Sequence, residues 1–137
     1  LDLPIIKMQS LKNLISDNPS NSVIELACEV FNRTLVEFQN ISFILDRGFP
    51  SSIVYSKVFG RTYDLSYLKH IEHELDPDII ILTAYKQRID DEVIRSGEWK
   101  KIYDEYLTQA KLHSWKIIDT SDHTPEEVVG GIIKYIT

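Results

Sequence analysis

The 137-residue chain is 43% hydrophobic and 26% charged, a composition that fits one soluble domain with a real core. Its net charge of −6 argues against a surface built mainly to hold nucleic acid, although a local basic pocket for phosphates remains compatible with it. The single cysteine, Cys28, permits no internal disulfide, the apolar runs are too short to span a bilayer, and no secretory signal is visible, so a cytoplasmic location is expected.

Taken in order, Leu3 to Ile15 carries Ile5, Ile6, Met8, Leu11, Leu14 and Ile15 at close to helical spacing. Asp17-Asn18-Pro19-Ser20-Asn21 then breaks the pattern. Ser22-Val-Ile-Glu25 has the form of a capping box. It predicts a helix to about Phe38 with Val23, Leu26, Ala27, Val30, Phe31, Leu35 and Phe38 on or near one face. Cys28 in that helix reads as a small packing residue, since no base partner stands beside it in sequence.

Ile41 to Leu45 reads as a short buried strand that runs straight into Asp46 and Arg47. Gly48 and Pro50 end it, and small residues open a helix from about Ser51 to Phe59. Packing asks for no charge at such an exit, and open parallel sheets bind ligands outside the carboxyl ends of their strands. Asp46 and Arg47 are therefore candidates for chemistry.

A loop through Gly60, Arg61 and Tyr63 leads to Asp64, which is placed to cap a helix through Leu65, Leu68, Ile71 and Leu75. Pro77 closes that helix, and Asp78 to Leu82 is a near-continuous apolar run of the kind found in parallel strands covered on both faces. A charged stretch follows, then a helix from Glu98 to about Leu112 and a strand from Trp115 to Asp119. Thr124-Pro125-Glu126-Glu127 starts the last helix, which carries Val128, Val129, Ile132, Ile133 and Ile136. Alternating strands and helices predict an α/β fold, a parallel sheet flanked by helices in a single domain.

Among the titratable residues, His70 and His73 have a spacing that could hold a metal, but no further ligands accompany them, and they read as exposed residues beside Glu72 and Glu74. His113 and His123 lie in loops, and Asp90, Asp91 and Glu92 read as a solvated face or a helix start. The arginines are more informative. Arg33 interrupts an apolar helix face, Arg47 follows the strand, and Arg61 follows Gly60. Arg88 and Arg95 lie nearly two helical turns apart, where they either clamp phosphates or pair with Asp91 and Glu92. Both readings stay open.

Several of these pieces, in this order, resemble the thymidylate kinase family of P-loop nucleoside monophosphate kinases. Leu45-Asp46-Arg47 is similar to the family's Asp-Arg signature at a strand end, and Ser51-Ser52 and Tyr55 to the helix behind it. Phe31-Asn32-Arg33 is similar to its nucleoside-binding helix, and Asp76-Pro77-Asp78 with the apolar run to its Pro-Asp strand. Arg88 and Arg95 fall where the family's lid helix carries arginines, and Trp115 to Ser121 resembles its last strand and adenine loop.

The resemblance implies a three-layer P-loop NTPase-like fold over 1–137, with a lid around 84–98. It also implies phosphoryl transfer from ATP, with Mg2+, to dTMP or another deoxynucleoside monophosphate. Arg33 would contact the acceptor base with help from Ser52, Phe31 could stack on it, and Ser51 belongs to the same substrate-binding set. Tyr55 would lie against the deoxyribose. Asp46 would order Mg2+ or the acceptor phosphate, Arg47 would bridge acceptor and transferred groups, and Arg88 or Arg95 would close over the transition state. Ser121 would border the donor's adenine. A homodimer through helices is a further implication.

One missing motif and two positions depart from the family pattern. No G-x-x-x-x-G-K-[ST] phosphate loop occurs in these residues, Gly48 replaces an aromatic after Asp-Arg, and Glu29 replaces one four before Arg33. The expectation is a chain missing its N-terminal strand and phosphate loop, and inactive in this form. The alternatives are a deoxynucleoside or modified-nucleotide kinase, whose acceptor is a hydroxyl, and a non-catalytic α/β interaction module of the same fold.

Overall fold

The computed structural model describes residues 2–7, 20–84 and 97–137. They form two compact units, Leu1–Pro77 and Asp78–Thr137. Each unit combines one pair of parallel strands with helices, so the chain is a mixed α/β protein.

In the first unit, strand β1 (Ile5–Lys7) pairs in parallel with β2 (Ile44–Asp46), setting Ile5 against Ile44 and Lys7 against Asp46. β1 falls in the stretch whose spacing predicts a helix, so that reading is corrected for its first residues, while 8–19 lie outside the described residues. Two adjacent β-branched isoleucines favour extended backbone, and β2 supplies the ladder partner that periodicity cannot reveal.

Helix α1 (Asn21–Leu35) is capped by Ser20, whose side chain accepts from the Val23 amide at 3.3 Å, rather than by Ser22. A one-turn 3-10 extension, Val36–Phe38, follows it. Its buried residues are Glu25, Cys28, Asn32 and Leu35, while Val23, Leu26 and Val30 are exposed. Most of the apolar stripe is thus exposed, and a more polar stripe at positions i, i+3, i+7 and i+10 is inside.

Helix α2 (Phe49–Val58) starts two residues before Ser51, with Pro50 in its first turn, where a missing amide costs little. The Gly48 carbonyl accepts from the Ser51 amide at 3.0 Å. Helix α3 (Tyr67–Leu75) begins beyond Asp64, whose carboxylate accepts from the Ser66 amide at 2.9 Å and so shapes the approach to the helix instead of capping it. That bond holds the Asp64 carboxyl below its ordinary value. α1 packs on α2 and α3, and Leu35, Phe49, Val54, Leu68 and Ile71 are buried. Each such side chain is worth roughly 1.5–3 kcal/mol of burial.

In the second unit, β3 (Ile80–Thr83) pairs in parallel with β4 (Lys116–Asp119), Ile80 opposite Lys116 and Thr83 opposite Asp119. The Thr83 carbonyl accepts from both the amide and the hydroxyl of Thr120, at 2.7 and 2.8 Å, which secures the strand ends. Helix α4 (Trp99–His113) packs on both strands, and α5 (Pro125–Ile136) on β4. α5 opens with the predicted capping box: Thr124 accepts from the Glu127 amide, and Glu127 accepts from the Thr124 amide. No helix among the described residues is long and apolar enough to cross a membrane.

Candidate functional site

Asp46 ends β2 with its side chain exposed. Arg47 follows in the left-handed region, at φ 65°, which costs a residue with a Cβ about 1–2 kcal/mol. The turn brings its guanidinium to α2. Arg47 Nη2 donates to the Tyr55 hydroxyl at 3.0 Å, and the guanidinium carbon lies 5.6 Å from the Tyr55 ring centroid. Gly48 in the same turn lies close under the Leu45 side chain, which would have to shift to admit a Cβ.

Behind this exit, the inward stripe of α1 meets α2 and α3 through polar groups. Asn32, wholly buried, donates from Nδ2 to Ser52 Oγ and to the Tyr67 hydroxyl, both at 3.2 Å. Burial pushes the Tyr67 phenol up to about 12, against the opposing effect of the Asn32 hydrogen bond. Burial, and next the Glu25 carboxylate, raise the Cys28 thiol above its ordinary value, so it is no activated nucleophile.

Glu25 and Arg61 form an ion pair at 3.0 Å, with side chains 2% and 13% exposed. Arg61 also lies over the Phe59 ring, 5.4 Å from its centroid. Glu25 Oε2, Arg61 Nε and Asn32 Oδ1 are buried without a hydrogen-bond partner among the described residues. The pair is therefore costly to desolvate, and its single hydrogen bond compensates only part of that cost.

At the rim of this cluster, Arg33 Nε donates to Glu29 Oε2 at 3.1 Å, and its guanidinium carbon lies 5.2 Å from the Tyr67 ring centroid. The other oxygen of Glu29 accepts from the Tyr63 hydroxyl at 3.0 Å. Partial burial, and then this carboxylate, raise the Tyr63 phenol. An arginine stacked on one ring and held at Nε keeps its outer nitrogens in a fixed plane, suited to planar acceptors.

Of the residues singled out in the sequence, Arg33, Asp46, Arg47, Ser52 and Tyr55 all lie in the first unit. Phe31 and Ser51 are half-buried there. Ser121 lies in the second unit, its amide donating to Asp119 at 2.8 Å. Arg88 and Arg95 lie outside the described residues. Among the described residues no cluster of three potential metal ligands occurs. His70 faces Glu74 at 3.9 Å, His123 faces Glu127 at 3.1 Å, and His113 stacks on Trp115.

Glu25, expected to close a capping box with Ser22, instead pairs with Arg61, and the parts played by Asn32, Arg61, Tyr63 and Tyr67 were not evident in the sequence. Glu25 and Asn32 are seven residues apart, two helical turns, and that polar spacing was the available signal.

A protein named "Probable thymidylate kinase" from Methanocaldococcus jannaschii is 30% identical to this chain over 130 residues, covering 88% of the chain and 68% of that protein. The chain belongs to the thymidylate kinase family. No family model matches it, and no solved structure does. In this chain the α1 arginine carries a paired glutamate, and a glycine follows Asp46-Arg47.

Proposed function

We propose that the complete protein is a nucleoside monophosphate kinase that transfers the γ-phosphoryl group of ATP to the 5′-phosphate of dTMP or another deoxynucleoside monophosphate. The observation that carries this reading is the strained exit of β2, where Arg47 adopts φ 65° and turns its guanidinium to Tyr55. Strain of this kind persists where a side chain must be held for a task. The family membership supplies the reaction class.

In this reading Arg47 bridges the acceptor phosphate and the phosphoryl group in flight, neutralising charge that develops between them. Phosphoryl transfer asks a protein for positioning and charge far more than for covalent participation. Tyr55, held against Arg47, lines the deoxyribose side. Arg33, with Ser52, Ser51 and Phe31, takes the acceptor base. The exposed Asp46 carboxylate fits Mg2+, which is typically held by one or two carboxylates together with substrate phosphates. Bound there, Mg2+ would neutralise phosphate charge.

Ser121 is assigned to the adenine side of the donor, and Arg88 and Arg95 to closure over the phosphates. Both units then belong to one three-layer P-loop-like domain over 1–137, with a lid around 84–98. Cytoplasmic location and a homodimer complete the proposal. The exposed Val23, Leu26 and Val30 stripe on α1 supports an apolar contact between copies.

The test is a coupled ATP-consumption assay on the complete gene product with a panel of deoxynucleoside monophosphates. One of them is expected to be phosphorylated, and Arg47→Ala is expected to lower kcat about a thousandfold or more. Full turnover by that variant would remove Arg47 from the reaction. A complete protein inert toward the whole panel would favour the interaction module instead.

A further inference from the structure

The rim of the α1 cluster contains a chain of contacts that the proposed kinase reaction does not itself require. Tyr63 reaches it from the loop after α2, 34 residues away in sequence, and donates to one oxygen of Glu29 at 3.0 Å. The other oxygen takes the Nε–H of Arg33 at 3.1 Å. Tyr67, the first residue of α3, lies under the guanidinium with its ring centroid 5.2 Å from the central carbon. Arg33 is thus held directly by Glu29 and Tyr67, and through Glu29 by Tyr63. Arg33 remains 51% exposed, so ligand can reach it, while Glu29 is 23% exposed and sits inward of it.

We infer that Glu29, braced by Tyr63, is a positioning residue that fixes the plane of the Arg33 guanidinium for the acceptor nucleotide.

The physical argument rests on which nitrogens are used. An arginine held only at Nε and on one face retains its two outer nitrogens as a fork, and a fork pays less entropy for each hydrogen bond it forms when its plane is preset. An exposed pair of this kind contributes little to folding. A four-residue spacing on a helix would form such a pair with no further help. Recruitment of Tyr63 from a separate element is what a purely local pair does not need.

The inference depends on the reading that Arg33 contacts the acceptor, and the experiment separates the two. In the complete protein, steady-state kinetics are measured against the acceptor nucleotide for Glu29→Ala, Glu29→Gln, Tyr63→Phe, Arg33→Ala and the Glu29→Ala/Arg33→Ala double variant. Glu29→Ala is expected to raise KM about fivefold with kcat within about twofold, the signature of lost binding shared by ground and transition states. Glu29→Gln, which keeps one oxygen to accept from Arg33 Nε and turns an amide nitrogen toward the Tyr63 hydroxyl, is expected to recover part of that loss, and Tyr63→Phe to show a smaller rise.

On the Arg33→Ala background, Glu29→Ala is expected to add nothing, because the two act as a unit. Additive effects in this cycle would overturn the positioning role and leave the Arg33 contact standing. If Arg33→Ala leaves KM unchanged, the contact itself is wrong and the proposal falls with it. A Glu29→Ala protein that loses kcat and thermal stability together, with KM unmoved, would mark the residue as structural only. A complete protein that neither binds nor phosphorylates any nucleoside monophosphate would overturn both ideas.

Discussion

The two units spend their polar side chains differently. In the first, beside local pairs such as Arg33 with Glu29, four side-chain bonds join residues 20 to 36 positions apart: Asn32 to Ser52 and Tyr67, Arg61 to Glu25, and Tyr63 to Glu29. In the second, the described side-chain pairs are mostly three or four residues apart on helix surfaces, such as Lys100 with Asp104, Lys101 with Glu98 and His123 with Glu127. Its buried residues are Ile81, Ile102, Ala110 and Trp115, with Thr83 and Gln109 the polar ones among them. Local surface pairs cost little to form and contribute little. Long-range buried ones demand desolvation and fix the relative placement of several elements. The first unit is therefore where placement of side chains has been favoured over the cheapest core.

The sharpest way to break this contrast is to remove one side of the most buried pair. Glu25→Ala would leave Arg61 charged and unpaired, and the expected loss is about 3–5 kcal/mol of stability. Thermal unfolding would register that as a fall in Tm on the order of 10 °C. A Glu25→Met/Arg61→Met double variant should recover most of it, because an apolar pair of similar volume avoids the desolvation cost. If Glu25→Ala costs no more than an exposed pair, about 1 kcal/mol or less, the two units do not differ in the way described.

A second test is milder and uses pH. The Tyr67 phenol sits at about 12 in the folded chain against an ordinary value of 10.0, because burial disfavours its charged form. A raised folded value means that the associated stability is whole below pH 10.0 and is lost as pH rises through about 12. Tyrosinate absorbance should therefore show Tyr67 titrating late. Tyr67→Phe should cost about 1 kcal/mol at neutral pH through its lost hydrogen bond. It should also remove this alkaline sensitivity. A Tyr67 that titrates with the exposed tyrosines would show that water enters the Asn32 cluster.

How far each unit could be read in advance follows the same division. α4 and β4 lie within a residue or so of their sequence bounds, because the helix has 3.6-residue periodicity and the strand is a short apolar run. The Asp46-Arg47 exit was legible too, since Gly48 and Pro50 mark the end of the strand. Two features were not. β1 is only three residues long and owes its conformation to β2. The inward face of α1 meets Arg61, Ser52 and Tyr67, so its apolar stripe does not mark its buried side. Periodicity reports which face could enter a core, and distant polar partners can override it. Arg47 shows the same limit at one residue: its identity was visible, but the positive φ that aims it at Tyr55 was not.

The smallest effect is expected at the start of α5, and it sharpens the contrast from the other side. Thr124 accepts from the Glu127 amide at 3.2 Å, and Glu127 accepts from the Thr124 amide at 3.0 Å. Thr124→Ala removes one of these bonds and should cost about 1 kcal/mol, the usual worth of a helix cap. The Glu127 carboxyl is held below its ordinary 4.5, first by the Thr124 amide and then by His123. A depressed folded value means that the stabilisation is present above pH 4.5 and disappears as pH falls through the folded value. Hydrogen exchange should show the first-turn amides of α5 opening on acidification, and opening already at neutral pH in Thr124→Ala, with the β3–β4 ladder still protected. Such confinement is what a local polar contact predicts. If protection of β3 and β4 collapsed along with the cap, the pairs of the second unit would carry long-range structure after all.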